Sequence, residues 1–205
     1  MKLDHGQQEY GWENAAALAD HFYNLPAIKS LLPSGKLNIL DAGCGNGFIA
    51  GQLADMGHQV TAIDLSEDGI DIAKKKYPNV RFEVHSVYDE LNELVDKVDV
   101  VISSEVIEHL YYPQRFLNNL YPVIREGGSL ILTTPYHGYV KNLALSVFNK
   151  WDSHLTVDWE GGHIKFFSQK TISNMLKESG YKDIKFNNAG RIHWLWKSMV
   201  CQAYK

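Results

Sequence analysis

The chain has 205 residues and a formal net charge of −4, with 45% hydrophobic and 21% charged residues. This composition is that of an ordinary globular protein, and the acidic balance argues against a general binder of nucleic acids or of membrane surfaces. Two cysteines are too few for a disulfide scaffold, no apolar run reaches transmembrane length, and the first residues lack the apolar segment of a signal peptide. We therefore expect one cytoplasmic domain spanning residues 1–205.

The N-terminal region, residues 1–36, is predicted to form a helical cap ahead of the first strand. Apolar side chains recur at helical spacing over residues 13–32, with a break at Pro26, which predicts two short helices. Tyr10 and Trp12 precede these helices, and packing against the body of the protein is the simplest interpretation of both.

The stretch LNILDAGCGNGFIA, residues 37–50, organises the rest of the chain. Apolar residues running into Asp41 predict a buried strand, and three alternate glycines predict a turn whose backbone closely approaches a ligand. A helix starting at Phe48 would direct its first N–H groups at that ligand.

A dinucleotide is a poor candidate for the ligand, because Phe48 stands where the G-x-G-x-x-G pattern needs its third glycine. Asp41 also adds negative charge where phosphates would lie, so it favours a ligand with a cationic part, such as an ammonium or a sulfonium. A second carboxylate, Asp64, ends the next predicted strand, where it can accept hydrogen bonds from both hydroxyls of a ribose.

The DAGCGNG run, followed by a second acid about twenty residues on, resembles motif I of the class I methyltransferases that depend on S-adenosyl-L-methionine (SAM). The resemblance implies SAM as the cofactor. Ser86 stands where many relatives carry an aspartate toward the adenine. The cofactor-binding residues that the resemblance implies are Asp41, Gly43, Cys44, Gly45, Asn46, Gly47, Phe48, Asp64, Leu65, Ser86, Val87, Ser104 and Glu105.

The remaining periodicity alternates strands with helices. Strands are predicted at 79–84, 98–103 and 129–134, helices at 67–76, 113–125 and 169–179, and two closing strands at 181–186 and 197–204. We therefore expect an α/β, Rossmann-like, doubly wound sheet of seven strands, mostly parallel with an antiparallel C-terminal strand, that binds ligands at its C-terminal strand ends.

Residues 136–167 interrupt this alternation after the fifth strand and are rich in aromatic and histidine residues. We interpret them as a substrate-covering insertion, which we call the roof. The residues concerned are His137, Tyr139, Phe148, Trp151, His154, Trp159 and His163.

A second motif, E-x-x-E-H, follows the fourth strand. Its spacing of i, i+3, i+4 would place Glu105, Glu108 and His109 on one helical face, and Gly161-Gly162-His163 could supply a fourth ligand for a divalent cation. A mostly oxygen ligand set favours Mg²⁺, Mn²⁺ or Fe²⁺ over a structural zinc.

The E-x-x-E-H run resembles two metal-dependent groups, the ubiquinone-pathway catechol O-methyltransferases and the RNA 3′-terminal-ribose 2′-O-methyltransferases. By motif position, Glu105, Glu108, His109 and His163 would be the metal ligands. In the alternative, the acids and the histidines position donor and substrate without a metal.

The favoured function is transfer of a methyl group from SAM to a hydroxyl of a small, aromatic acceptor. The hydroxyl must lose its proton, either beside a metal or to His109 or His163 acting as a general base. The alternatives are an RNA ribose methyltransferase, which the acidic balance disfavours, and a SAM-binding protein without transferase activity. The oligomeric state is not indicated.

Overall fold

A computed structural model describes residues 12–155, 157, 162–190 and 196–205 of the chain. Tyr10, Trp159 and Gly161 lie outside the described residues. The strands are β1 Asn38–Ala42, β2 Gln59–Asp64, β3 Arg81–Val84, β4 Val98–Ser104, β5 Ile124–Pro135, β6 Lys182–Ala189 and β7 Ser198–Tyr204.

These strands form one sheet in the order β3-β2-β1-β4-β5-β7-β6. The pairs within β1 to β5 are parallel, and β7 runs antiparallel to both of its neighbours, β5 and β6. The predicted doubly wound, mostly parallel sheet of seven strands with an antiparallel C-terminal strand is confirmed.

Two of the helices begin at serine caps. Ser66 accepts a hydrogen bond from the N–H of Gly69 at 3.1 Å, and Ser168 forms a reciprocal capping box with Thr171. In the described part of the chain no helix combines the length and the apolar character that crossing a membrane requires. The helices are α1 His21–Leu31, α2 Phe48–Asp55, α3 Glu67–Lys76, a 3₁₀ helix Ile107–His109, α4 Pro113–Val123, α5 Tyr139–Val147, α6 Trp151–Leu155 and α7 Gln169–Glu178.

Two hydrophobic clusters cover the two faces of the sheet. Neighbouring strand residues point to opposite faces, so Val100 packs in the cluster with Leu53 of α2, whereas Val101 packs in the cluster with Phe116 of α4 and Ile172 of α7. With both faces covered by helices, the ends of the parallel strands are the part of the sheet left open to a ligand.

The prediction of two N-terminal helices is wrong, because a single helix, α1, runs through Pro26 and residues 12–20 are not helical. The buried side chain of Asn46 explains the second point. Its amide donates to the carbonyls of Asn14 and Ala16 at 2.9 and 3.0 Å, so these carbonyls bond to the loop after β1 instead of to a helix. These two hydrogen bonds therefore hold residues 12–20 against the loop after β1.

Candidate active site

A cavity of about 490 Å³ opens at the C-terminal ends of β1, β2 and β4. Most of the predicted cofactor residues line it. They are Asp41, Gly43, Cys44, Gly45, Asp64, Leu65, Val87, Ser104 and Glu105. The predicted histidines His109 and His163 line the same cavity, so the topology brings both sequence motifs to one site.

The other four predicted cofactor residues, Asn46, Gly47, Phe48 and Ser86, do not line the cavity. Gly47 precedes α2 with a φ of 75°, and Phe48 stacks on the ring of His21, with centroids 4.9 Å apart. Ser86 accepts a hydrogen bond from the N–H of Tyr88, and Asn46 binds the residues ahead of α1. Their direct contact with a cofactor stays a prediction.

Protein side chains approach the glycine loop closely, and the predicted approach of a ligand to its backbone stays a prediction. A Cβ on Gly45 would lie 2.3 Å from the indole of Trp12, and a Cβ on Gly47 would lie 2.7 Å from the ring of Phe82. Both glycines also have positive φ, which disfavours other residues. Trp12 therefore covers the loop and lines the cavity at the same time.

Asp64 is held in one orientation by the backbone. One carboxylate oxygen accepts from the N–H of Gly45 at 2.8 Å and the other accepts from the N–H of Ser66 at 2.9 Å. Burial raises the pKa of Asp64, and these backbone hydrogen bonds oppose that rise. Each oxygen keeps a further lone pair, so the fixed carboxylate can still accept two hydrogen bonds from a ligand.

Asp41 lies inside β1, not after it, and is 1% exposed. One of its oxygens has no hydrogen-bond partner among the described residues. Burial, with the charge of Asp64, raises the pKa of Asp41 to about 7, although a backbone hydrogen bond from Ala50 opposes the rise. A cationic ligand nearby would favour the ionised form of this carboxyl group.

The prediction that the E-x-x-E-H residues share one helical face is wrong. The backbone turns at Glu105, with a φ of 55°, and its N–H donates to the carbonyl of Thr133 at 3.1 Å. The 3₁₀ helix that follows covers only Ile107–His109. Glu105 therefore stays bonded to β5 and lies outside the 3₁₀ helix that carries the other two residues.

Glu105 is half-buried and Glu108 is buried, and each accepts hydrogen bonds from polar neighbours of its own. Glu105 accepts from Asn24 at 3.0 Å and from Thr133 at 2.8 Å, and Glu108 accepts from Thr134 at 3.1 Å. Burial raises the pKa of Glu105 to about 7, and burial together with the charge of Glu105 raises the pKa of Glu108 further above its ordinary value. The second oxygen of Glu108 has no hydrogen-bond partner among the described residues.

Three of the four predicted metal ligands gather in one group, Glu108, His109 and His163, whose ligand-capable atoms lie within 4.8 Å of one another. His109 directs Nδ1 to the carbonyl of Gly162 at 3.3 Å, and its Nε2 lies 4.0 Å from Glu108. The N–H groups of Ile164 and of the next residue donate to the Glu108 carbonyl, which ties the roof to the 3₁₀ helix. Glu105 is not part of this group.

The surroundings of His163 disfavour its protonated form. Burial, with the charges of His109, His137 and Lys141, lowers the pKa of His163 to about 4. Its Nδ1 is buried and has no hydrogen-bond partner among the described residues. A neutral imidazole beside an unpartnered carboxyl oxygen is an arrangement that can hold a divalent cation or a substrate hydroxyl.

Several lining residues were not predicted as site residues: Trp12, Leu18, Asp20, His21 and Tyr111. His21 shows why. Its Nδ1 accepts from the N–H of Leu18 at 3.0 Å, and its ring reaches the cavity because residues 12–20 cross the glycine loop. No local sequence pattern encodes that crossing.

Comparison with known proteins places the chain in a family. Residues 12–185 match the family described as a methyltransferase domain. The chain is 30% identical over 159 residues to the mitochondrial ubiquinone biosynthesis O-methyltransferase of Rattus norvegicus, covering 72% of this chain and 45% of that protein. It is 27% identical over 173 residues to the ubiquinone biosynthesis O-methyltransferase of Ruegeria pomeroyi, covering 80% of this chain and 68% of that protein.

A solved structure shares the fold. Magnesium protoporphyrin IX methyltransferase from Synechocystis, crystallised with bound S-adenosylhomocysteine (SAH), has a TM-score of 0.67 to this chain at 20% identity. The match covers 89% of this chain and 82% of that one.

Proposed function

Because the chain belongs to the class I SAM-dependent methyltransferases, we propose that it transfers the methyl group of SAM to a hydroxyl of a small aromatic molecule. One observation carries the proposal. A single cavity joins the glycine loop and Asp64 at one end to His109 and His163 at the other. The names of the O-methyltransferase relatives support a hydroxyl acceptor.

The donor end would bind SAM through groups that the fold already holds in place. Asp64 would accept hydrogen bonds from the ribose hydroxyls, and the loop from Gly43 to Gly47 would lie against the methionyl portion. Asp41 would orient that loop or face the amino group of SAM. The positive charge of that amino group would favour the ionised form of Asp41.

The acceptor end would be closed by the roof, which supplies Gly162 and His163 to the cavity. Leu110, Tyr111 and Ile164 line this part of the cavity, and such side chains suit a flat ring. A cavity of about 490 Å³ is within the usual range for small-molecule sites. Holding the hydroxyl in line with the sulfonium methyl would supply much of the rate enhancement.

The acceptor hydroxyl must also lose its proton. With a pKa near 4, His163 is a weak base at neutral pH, so His109 is the better candidate for the general base. A divalent cation, where bound, would lower the pKa of the hydroxyl. Glu108, His109 and His163 would hold it, and two imidazoles with one carboxylate suit Mn²⁺, Fe²⁺ or Zn²⁺ better than Mg²⁺.

The RNA alternative is less well supported. An RNA site at the strand ends needs basic residues that contact phosphate groups. The chain instead carries more acidic than basic residues, 24 against 20. No single residue of the site argues against a protein that binds SAM without transferring its methyl group. The assay below tests that alternative. The cytoplasmic location stays a prediction.

The test is methyl transfer from labelled SAM to catechol and to short RNAs, with and without EDTA. We expect label in catechol and none in RNA. Label in neither, while SAH binds by calorimetry, would leave a SAM-binding protein and overturn the proposal. If EDTA does not change the turnover, the reaction needs no divalent cation, and His109 is left as the general base.

A further inference from the structure

Within the described residues, the lining of the active-site cavity contains four carboxylates and no lysine or arginine. The acids are Asp20, Asp41, Asp64 and Glu105. SAM and SAH each carry a carboxylate of their own on the methionyl portion. This negative group must therefore bind to neutral N–H or O–H donors.

The backbone of the glycine loop has little left to offer such a group. Four of its N–H groups already donate to oxygens of the protein, those of Gly43, Cys44, Gly45 and Gly47. The N–H of Phe48, the first of α2, donates to the side chain of Asn46 at 3.3 Å, so it is not free for a ligand either. A side chain close to the loop is the better candidate for binding the carboxylate.

His21 is the imidazole that lies against this loop. Its ring stacks on Phe48, with centroids 4.9 Å apart and planes 3° apart, and it lines the cavity. Phe48 follows the glycine loop directly, so His21 lies beside the part of the cavity assigned to the methionyl portion. The other lining imidazoles lie elsewhere, since His85 follows β3 and His109 and His163 belong to the acceptor end.

A backbone hydrogen bond sets the tautomer of His21. The N–H of Leu18 donates to Nδ1 at 3.0 Å, so Nδ1 carries no proton. Burial lowers the pKa of His21, although the charge of Asp20 opposes this shift, and the neutral ring then carries its proton on Nε2. With Phe48 on one face and Nδ1 occupied, the ring offers the cavity its other face and its Nε2–H edge.

We infer that His21 donates its Nε2–H to the carboxylate of the methionyl portion of SAM and SAH, so that the donor end prefers ligands that carry this group. The inference rests on the proposed function and adds a binding residue from outside the glycine motif. A neutral N–H donor forms a charge-assisted hydrogen bond with a carboxylate. It does so without adding a cation, which would repel the sulfonium.

Holding residues 12–20 in place is the other role open to His21, because the stack and the hydrogen bond to Leu18 both serve it. The two roles predict different outcomes. A purely structural role affects every ligand of the donor end alike, whereas a binding role affects only ligands that carry the carboxylate.

The experiment measures, by calorimetry, the binding of SAH and of decarboxylated SAH, which differ by one carboxylate. H21F keeps a ring on Phe48 and removes the donor. It should weaken SAH binding by about 10- to 100-fold and leave the affinity for decarboxylated SAH within about twofold of the wild type. H21Q, whose amide can place an N–H near the position of Nε2, should retain part of the SAH affinity.

H58F is the matched control. His58 also accepts a backbone N–H at Nδ1, but at the N-terminal ends of β1 and β2, so both affinities should be unchanged. An equal loss of affinity for both ligands in H21F would assign His21 a structural role and overturn the inference. An SAH affinity that H21F leaves unchanged would overturn it as well.

Methyl transfer from labelled SAM to catechol, measured separately, distinguishes this inference from the proposed reaction. A carboxylate preference that depends on His21, without any transfer, supports the inference and overturns the reaction. Transfer by a wild type whose carboxylate preference H21F preserves supports the reaction and overturns the inference.

Discussion

The two ends of the cavity differ in how their buried polar groups are satisfied. At the donor end, both oxygens of Asp64 accept backbone N–H groups, and the turn is tied down further by N–H groups of Gly43 and Cys44 that donate to one carbonyl in β2. At the acceptor end, Glu108 and His163 each keep a buried polar atom without a partner in the described part of the chain.

This difference indicates two kinds of site. Apart from one oxygen of Asp41, which also has no partner among the described residues, the donor end is organised before any ligand arrives, because strand ends and a helix start hold its groups. The acceptor end has polar groups that only a ligand, a cation or water can satisfy. Substitutions at the two ends should therefore separate binding of the donor from transfer of its methyl group.

The largest effect is expected at the acceptor end. H163A should lower kcat/KM for catechol by about 10²- to 10⁴-fold, because His163 either holds a cation or positions the hydroxyl. The affinity for SAH, measured by calorimetry, should be unchanged. H58A is the matched control, since His58 accepts the N–H of Leu37 at the N-terminal ends of β1 and β2, away from the cavity, and should affect stability alone. A parallel loss of SAH affinity in H163A would assign His163 to the donor end.

The pH dependence of stability tests the donor end. The pKa of Asp41 is about 7 in the folded state and near 3.8 when unfolded, so the folded state holds this proton more tightly. Its contribution to stability is complete below pH 4 and is lost as the pH rises to 7. D41N should remove this loss and be more stable than the wild type at pH 7.5 by at most about 4 kcal/mol, measured by urea unfolding.

Asp99 provides the opposite control. Hydrogen bonds from Asn38 and Arg125 lower its pKa, so its contribution to stability is present above pH 4 and is lost as the pH falls. D99N should therefore be less stable than the wild type at pH 7.5. Equal stabilities of D41N and wild type at pH 5 and 7.5 would contradict the protonation assigned to Asp41.

A smaller effect is expected for D64N, which places an amide where one oxygen accepts a backbone N–H. The SAH affinity should fall about 100-fold, because two ribose hydrogen bonds are weakened and the loop is disturbed. D99N, which also loses a carboxylate that accepts a backbone N–H, should bind SAH like the wild type. Unchanged SAH affinity in D64N would contradict the proposal that Asp64 binds the ribose at the donor end.

Local sequence predicted most of the fold. The caps at Ser66 and Ser168, the helix opened by Pro113 and the alternation of strands and helices each follow from a few neighbouring residues. The prediction that the E-x-x-E-H residues share one helical face was wrong, because spacing alone cannot show that Glu105 stays bonded to Thr133 of a neighbouring strand.

The sequence by itself determined the order of the strands and helices, the glycine loop and the two acids, Asp41 and Asp64, on either side of it, since these depend on backbone preferences and hydrophobic periodicity. Only the tertiary structure decided that Trp12 and His21 reach the cavity and that Glu108, His109 and His163 meet there. Those positions depend on contacts between segments far apart in the chain, which no local pattern specifies.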